Sequence, residues 1–345
     1  MDEREREIRR RRHRRKMLMR RRRRRRRILL TGLGIVILLF VLGLSACFKM
    51  CSSNEDAGTG EKDTSQNESL ETTTLDETNT EGQAANETKL ISLGAADIYK
   101  GDLILVNTMN AYRFEQNTGS ISLTDVGSYK DGAIKTGKDG LQLAGRILEP
   151  LYAMITDCNA ALGVDNTGVT SAYRTREYQQ DVYNQYVEAG GVEYAEAYVS
   201  DPGYSEHHTG LSLDMGIYYH DGSEGQFSGS SNAEWMDAHC QEYGFVRRYK
   251  EDKTSITGIK NEAWHFRYVG IVHASYMNEQ NLCMEEYVEF LRSHTSKEAP
   301  ITVTCTAGTY LVYATKERTL VEPKGEYTIS GDNIDGFIIT EKIEN

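Results

Sequence analysis

Residues 28–48 limit what this chain can fold into more than any other stretch. ILLTGLGIVILLFVLGLSACF carries no charge and is long enough, as a helix, to cross a bilayer core. It follows a basic segment, 1–27, that ends in an unbroken arginine run from Arg20 to Arg27. Positive charge holds its own flank in the cytoplasm. The pattern predicts a single-pass transmembrane signal anchor in the cell membrane, in contact with lipid, with the remaining chain extracellular.

Two other interpretations of this region are less favoured. Leu44-Ser45-Ala46-Cys47 resembles a bacterial lipobox, which makes Cys47 an alternative lipid anchor, but segment 1–27 is long for a cleaved signal peptide. The arginine run also fits nucleic-acid binding. Topology and anionic lipid headgroups explain a basic run directly before an apolar span better, so we expect no nucleic-acid partner.

Beyond the apolar segment, residues 49–90 are mostly Ser, Thr, Asn, Asp, Glu and Gly. Such a stretch cannot bury enough apolar surface to offset its chain entropy, so we expect a disordered acidic linker. From Ile91 onward the sequence again has the apolar residues of a folded domain. We predict a main domain over 91–298 and a β-rich C-terminal extension over 299–345, which is either an appendage or a continuation of the main sheet.

Apolar periodicity predicts the elements of these parts. Strands are expected over 102–106, 169–173, 211–217, 245–249 and 263–269, with helices over 141–162, 175–190, 232–243, 272–278 and 284–293. Pro150 predicts a kink, or two shorter helices, within 141–162. Short strand-like runs follow at Val303, 310–313, 327–330 and 337–340. Because the order is mixed, the α+β class is favoured, with a small antiparallel sheet flanked by helices.

Two distant pieces of sequence carry side chains that suit a metal site. SEHHTGLSLD, residues 205–214, offers His207 and Asp214, and EAWH, residues 262–265, offers His265. Two imidazoles and one carboxylate suit Zn²⁺ with a fourth position open for water. Glu262 is then a carboxylate that takes the proton of that water. Since no CxxC pair is present among the six cysteines, a thiolate zinc site is not expected.

A third piece, SAYRTREYQ, places Arg174 at the end of a predicted strand and just before a helix. Its planar, permanently charged fork suits a carboxylate or a developing oxyanion.

Together the three pieces resemble the motifs of the VanY-type D-alanyl-D-alanine carboxypeptidases, which are zinc peptidases of the lysostaphin, D-Ala-D-Ala peptidase and hedgehog superfamily. The resemblance covers roughly 91–295. Small departures are Ala172 in the SGYR-like piece and Ser212 two residues before the aspartate.

The resemblance implies a role for each matching position. One zinc ion is bound by His207, Asp214 and His265. Glu262 is the general base, and later the proton donor to the leaving amine. Arg174 holds the substrate carboxylate or the oxyanion, with Ser205 and Gln179 binding the terminal D-residue.

Structural interpretations remain open for several of these side chains. Arg174 fits a plain salt bridge, and Ser205 and Gln179 fit local capping or turn roles. His208 is expected to support the site from behind or to face solvent, and Trp264 to be a packing wall. The histidines outside the motifs are expected to be structural or on the surface: His220, His239, His273 and His294.

The residues predict a membrane-anchored zinc hydrolase, and the resemblance implies that it is a D,D-carboxypeptidase acting on peptidoglycan stem peptides. Three alternatives stay open, one of which is a stalked adaptor whose function lies in the β-rich appendage from Ile301 onward. An L,D-carboxypeptidase of the same family uses the same site residues. A non-catalytic, zinc-stabilised cell-wall-binding module is a different class, but a purely structural zinc site needs neither Glu262 nor Arg174.

Overall fold

The computed structural model of the protein describes residues 89–343. Their strands are β1 Leu90–Ser92, β2 Leu123–Asp125, β3 Lys135–Thr136, β4 Gln142–Ala144, β5 Thr167–Ser171, β6 Ser212–Tyr218, β7 Glu224–Gly225, β8 Phe245–Tyr249, β9 Glu262–Tyr268, β10 Ile301–Cys305, β11 Gly308–Thr315, β12 Thr319–Val321, β13 Tyr327–Gly331 and β14 Phe337–Lys342. The helices are α1 Phe114–Asn117, α2 Leu148–Leu162, α3 Arg176–Gly190, α4 Val192–Tyr198, α5 Ser231–His239, α6 Thr254–Thr257, α7 Ile271–Glu279 and α8 Met284–His294. Short 3₁₀ turns lie between several of them.

The main sheet has the strand order β3-β5-β6-β9-β8, with β7 pairing beside β6. All of its pairs are antiparallel except β3 with β5. The mixed helix and strand composition agrees with the predicted α+β class, and the antiparallel character holds for all but one pair.

The two faces of this sheet have different chemistry, because successive side chains on a strand point to opposite sides. Leu213 and Met215 of β6 and Phe266 of β9 are buried in a core shared with Leu151 and Ile155 of α2. The alternate residues face the other way, and they include Asp214 and His265. One face therefore stabilises the fold, and the other is free to carry polar groups.

Helices α2 and α3 begin and end at residues suited to those positions. Thr175 caps α3, its hydroxyl accepting from the backbone N–H of Tyr178 at 3.1 Å, as predicted. The predicted break at Pro150 is wrong. Pro150 lies in the first turn of α2, where its missing N–H has no helical partner to lose, and residues 142–147 form β4 and a 3₁₀ turn instead.

The segment 102–106 is not the predicted strand. Its apolar side chains are buried, yet its backbone groups are bonded mainly by side chains. The N–H of Leu103 donates to Ser330 Oγ, and Arg267 donates to the carbonyl oxygens of Asp102 and Ile104 at 2.8 and 3.2 Å. A buried segment needs all its polar backbone groups paired, and here that need is met without a ladder.

Four of the five C-terminal strands form a separate antiparallel sheet, in the order β10-β11-β14-β13, and the fifth, β12, pairs with β1. The runs predicted as strands after residue 300 are therefore present, and they do not continue the main sheet. One face packs on α7 and α8, where Val312 and Ile338 join a core with Tyr287 and Leu291. His273 bridges the layers, with ring contacts to Tyr287 Oη at 2.8 Å and Thr340 Oγ1 at 3.1 Å.

The four described cysteines, Cys158, Cys240, Cys283 and Cys305, are free thiols. Within 89–343, no helix combines the length and apolar character needed to cross a membrane. The predicted anchor 28–48, the basic segment 1–27, Cys47 and all but the end of the predicted linker lie outside the described residues.

Candidate active site

Strand register brings the predicted metal ligands together. Asp214 on β6 lies directly opposite His265 on β9. His207 comes from the 3₁₀ turn Glu206–Thr209, which leads into β6 through Gly210 in a left-handed conformation, φ 68°. One donor atom of each of the three side chains lies within 4.8 Å of the others, the only such group among residues 89–343 with metal-site geometry. Their role as ligands stays a prediction.

The ring of His207 is fixed by a backbone hydrogen bond. Its Nδ1 lies 2.6 Å from the carbonyl oxygen of Ala172, which can only accept, so Nδ1 carries the proton. The other nitrogen, Nε2, is 3.5 Å from Asp214 Oδ2. This arrangement points a lone pair of His207 at the carboxylate cluster.

His265 presents its other nitrogen to the same place. Its Nδ1 is 3.0 Å from Asp214 Oδ1 and 3.8 Å from Glu262 Oε2. Glu262 begins β9, opposite Tyr249 across a register shift in β8, and it is only 6% exposed. A second carboxylate thus lies beside the cluster without belonging to it.

Arg174 supplies the positive charge that Asp214 needs. Its Nη2 donates to Asp214 Oδ2 at 2.7 Å, and Nε and Nη2 donate to Ser171 Oγ at 3.1 and 2.9 Å. Its Nη1 donates to Gln179 Oε1 at 3.3 Å. A short irregularity in the pairing of β5 with β6, between Val169 and Ser171, precedes this arginine, and such bulges re-aim side chains beside active sites.

Burial and neighbouring charges shift the pKa values of the site's groups in different directions. Burial lowers the pKa of His207 to about 4, which keeps that ring neutral. Burial alone would raise the pKa of Asp214, but the hydrogen bond from His265 and the charge of Arg174 outweigh it and hold that pKa well below its usual range. Burial also raises the pKa of Glu262 to about 8, so this carboxylate accepts a proton far more readily than an exposed one.

The pKa of His265 is shifted in the opposite direction from that of His207. Burial alone would lower it, but the carboxylates of Asp214 and Glu206 raise it to about 9. The ring therefore holds a proton that a cation must displace, as is usual when metals bind histidine.

The donor atoms, burial and ring support of this cluster can be compared with the needs of a metal ion. Two imidazole nitrogens and one carboxylate converge, the site is buried, and one ring is oriented by a backbone acceptor, which is the usual support of a metal-binding histidine. Nitrogen and oxygen donors in this number suit zinc with one position left open. The donor set fits.

A cavity of about 60 Å³ opens beside the cluster. Arg174, Gln179 and Ser205 line it, and Trp264 forms part of its wall as predicted. Gln179 and Ser205 also make hydrogen bonds within the fold. Gln179 Nε2 donates to the carbonyl oxygen of Ser200 at 2.9 Å, and Ser205 Oγ accepts from the N–H of His207 at 3.4 Å. Ser205 can therefore cap the 3₁₀ turn and also face a substrate in the cavity.

His208 does not face solvent. It is fully buried, its Nδ1 lies 2.7 Å from the carbonyl oxygen of Arg174, and its Nε2 accepts from the N–H of Gly203 at 2.9 Å. It thus supports the Arg174 backbone from behind. His220, His239, His273 and His294 lie outside the metal cluster.

Sequence reasoning missed a group of charged residues behind His265. Glu206, Arg248 and Arg267 are each 2% exposed or less. The available signal was the alternation of β8 and β9, which places two arginines at inward positions of largely apolar strands. A buried charge needs a partner, and Glu206 was the carboxylate within the motif left without a role.

Comparison with known proteins agrees with this geometry. The VanY family model, described as D-alanyl-D-alanine carboxypeptidase, matches residues 140–271. A D-alanyl-D-alanine carboxypeptidase of Enterococcus faecium is 33% identical over 251 residues, covering 70% of this chain and 76% of that protein. One of the same description from Enterococcus faecalis is 41% identical over 129 residues, covering 35% of this chain and 46% of the relative.

A solved structure shares the fold. The vancomycin-resistance D,D-dipeptidase VanXYg, in complex with a D-Ala-D-Ala phosphinate analog, superposes with a TM-score of 0.64 at 27% identity. The match covers 73% of this chain and 98% of that one. The chain belongs to the VanY family of D-alanyl-D-alanine carboxypeptidases, and the resemblance found in its three motifs is confirmed.

Gln179→Ala should lower both stability and substrate binding. The change leaves the carbonyl oxygen of Ser200 without its buried donor and frees Nη1 of Arg174, at a cost of about 1–3 kcal/mol. Urea denaturation measures the first effect, and KM the second. Gln180→Ala is the matched control, because the neighbouring side chain bonds only Asn184. Equal behaviour of the two variants would remove the assigned role of Gln179.

Proposed function

We propose that the chain is a zinc carboxypeptidase that removes the terminal D-alanine from peptidoglycan stem peptides, using one Zn²⁺ ion. The observation that carries this proposal is the convergence of His207, Asp214 and His265 beside the buried, non-ligating carboxylate of Glu262. A structural metal site has no use for such a neighbour, whereas hydrolysis requires a base within reach of the attacking water.

The roles of the protein groups follow from their contacts. Zinc, when held by His207, Asp214 and His265, supplies a Lewis acid that lowers the pKa of water. Glu262, whose pKa burial raises to about 8, takes the proton of the attacking water and later gives it to the leaving amine. Arg174 stabilises negative charge that develops on the scissile carbonyl oxygen, or holds the terminal carboxylate.

The lining of the cavity supports a substrate with a free terminal carboxylate. Arg174 forms part of its wall, and a guanidinium binds a carboxylate well. The D-Ala-D-Ala phosphinate analog bound by VanXYg and the described activity of the Enterococcus faecium relative support the same substrate class.

Glu262→Gln should retain bound zinc but lose turnover by about 10²–10⁴-fold, because the amide cannot accept the proton. Metal analysis of the purified full-length protein and release of D-alanine are the two measurements. Glu251→Gln, at an exposed position in a 3₁₀ turn, is the control for removing one negative charge and should behave like the parent. Sustained turnover by the Glu262 variant contradicts the proposed general base.

Pentapeptide stems ending in D-Ala-D-Ala should lose one D-alanine, and removal of zinc by a chelator should abolish that reaction until zinc is restored. Mass spectrometry of the digested stems reads the site of cleavage. Cleavage confined to tetrapeptide stems would instead define an L,D-carboxypeptidase. Bound zinc with no cleavage of either stem would favour the non-catalytic wall-binding module.

We further propose that residues 28–48 anchor the protein in the cell membrane and that its catalytic domain is extracellular. The basic segment 1–27 before an uncharged span supports this orientation. An acidic linker over 49–90 would let the catalytic domain reach its polymeric substrate at a distance from the lipid.

The full-length chain should remain with membranes after an alkaline carbonate wash, and a chain that starts at residue 49 should be released. Protease added to intact cells or protoplasts should degrade the domain. The Cys47→Ala variant separates the two anchors, because a transmembrane helix does not need this thiol. Release of that variant would establish lipidation at Cys47 in place of the signal anchor.

A further inference from the structure

A buried network of four charges lies behind His265, on the side away from Asp214. Arg248 bonds Glu206 Oε1 through Nε at 2.8 Å and forms a fork with Glu285 at 2.9 and 2.7 Å. Arg267 Nη1 also donates to Glu206 Oε1, at 3.2 Å. The network joins the turn that bears His207 to strands β8 and β9 and to the first turn of α8.

The two oxygens of Glu206 have different surroundings. Oε1 already accepts from both arginines. Oε2 accepts only from Ser212 Oγ, at 3.3 Å, and lies 3.6 Å from Nε2 of His265. That separation exceeds a good N–H to O hydrogen bond by a few tenths of an ångström. Oε2 therefore has a free lone pair on the side of the ring.

His265 Nε2 is one of four buried polar side-chain atoms in the described part of the chain with no hydrogen-bond partner. Buried donors are almost always satisfied, so such an atom requires a physical reason. A possible acceptor for Nε2 lies close by, because Glu206 Oε2 is 3.6 Å away. The opposite ring nitrogen, Nδ1, faces Asp214 and Glu262, where the metal is expected.

We propose that Glu206 is a positioning residue for the zinc site, accepting the Nε2 proton of His265 and so holding Nδ1 towards the metal. This inference rests on the proposed zinc carboxypeptidase function. Two arginines fix the carboxylate from one side and Ser212 from the other, so the acceptor cannot rotate away from the ring. Such outer carboxylates orient metal-bound imidazoles and strengthen them as ligands.

The network also contains its own control residue. Glu285 pairs with the same Arg248 and is nearly buried, but it contacts Asn107 rather than His265. Removing either carboxylate disturbs the arginine pairing. Only removal of the Glu206 charge alters the acceptor beside the histidine ring.

The test compares Glu206→Gln with Glu285→Gln in the purified full-length protein. Zinc affinity is measured by competition with a chromophoric chelator, and ligand geometry by the visible spectrum of the cobalt(II)-substituted protein. We expect Glu206→Gln to lose zinc affinity by about 10- to 100-fold and to shift the cobalt bands. Glu285→Gln should keep both properties near those of the parent, even where its melting temperature falls.

Should Glu206→Gln fail to fold, Glu206→Asp decides, because it keeps the charge beside both arginines and withdraws the carboxylate from the ring by one methylene. A Glu206 variant that folds and binds zinc like the parent overturns the inference, and so does an equal loss in Glu285→Gln. A parent protein that binds no zinc overturns the proposed function itself, which is a separate outcome.

Discussion

The pairing of β6 with β9 is the constraint on which the site depends. It places Asp214 and His265 directly opposite each other, although they are far apart in the chain. Directly opposed residues have Cβ atoms about 4.5–5.5 Å apart, which is close enough for both side chains to share one ion. A slip of one residue would turn Asp214 towards the apolar core. The hydrophobic face of the sheet, with Leu213 and Met215 packed under α2, therefore fixes the chemistry on the opposite face.

Burial of so many charges on that face has an energetic cost that their pairing offsets. Asp214 is opposed by Arg174, and Glu206 by Arg248 and Arg267. Glu262 differs, since no arginine or lysine bonds it among the ion pairs of residues 89–343. Burial without such a partner raises its pKa, and a raised pKa suits a carboxylate to exchange protons with water near neutral pH. The same burial that stabilises the fold thus accompanies opposite pKa shifts in two neighbouring carboxylates, as their proposed roles of metal ligand and general base require.

Much of the fold could be predicted from the sequence where apolar periodicity and local stop signals agree. Strand 245–249 and the helix capped by Thr175 and ended near Gly191 are examples. Segment 102–106 was misread because its apolar run is buried for another reason, as its backbone is bonded by Arg267 and Ser330 from distant parts of the chain. The motifs identified His207, Asp214 and His265 as candidate metal ligands, because these residue types are unusual at that spacing. Glu206 stayed unassigned, since its partners are known only when β8, β9 and α8 are assembled.

The C-terminal sheet stabilises helix α8 by sharing its apolar core. Its residues Val312 and Ile338 share a core with Tyr287 and Leu291 of α8, the helix that also carries Glu285. Glu285 shares Arg248 with Glu206, whose carboxylate Arg267 and Ser212 also hold. Removal of residues 301–345 would expose that core and loosen α8, so loss of activity in such a truncation would report stability rather than a separate binding function. A role for this sheet in recognition is therefore separated from its packing role by substitutions at exposed positions of its own strands, such as Thr302 on β10, which leave the shared core intact.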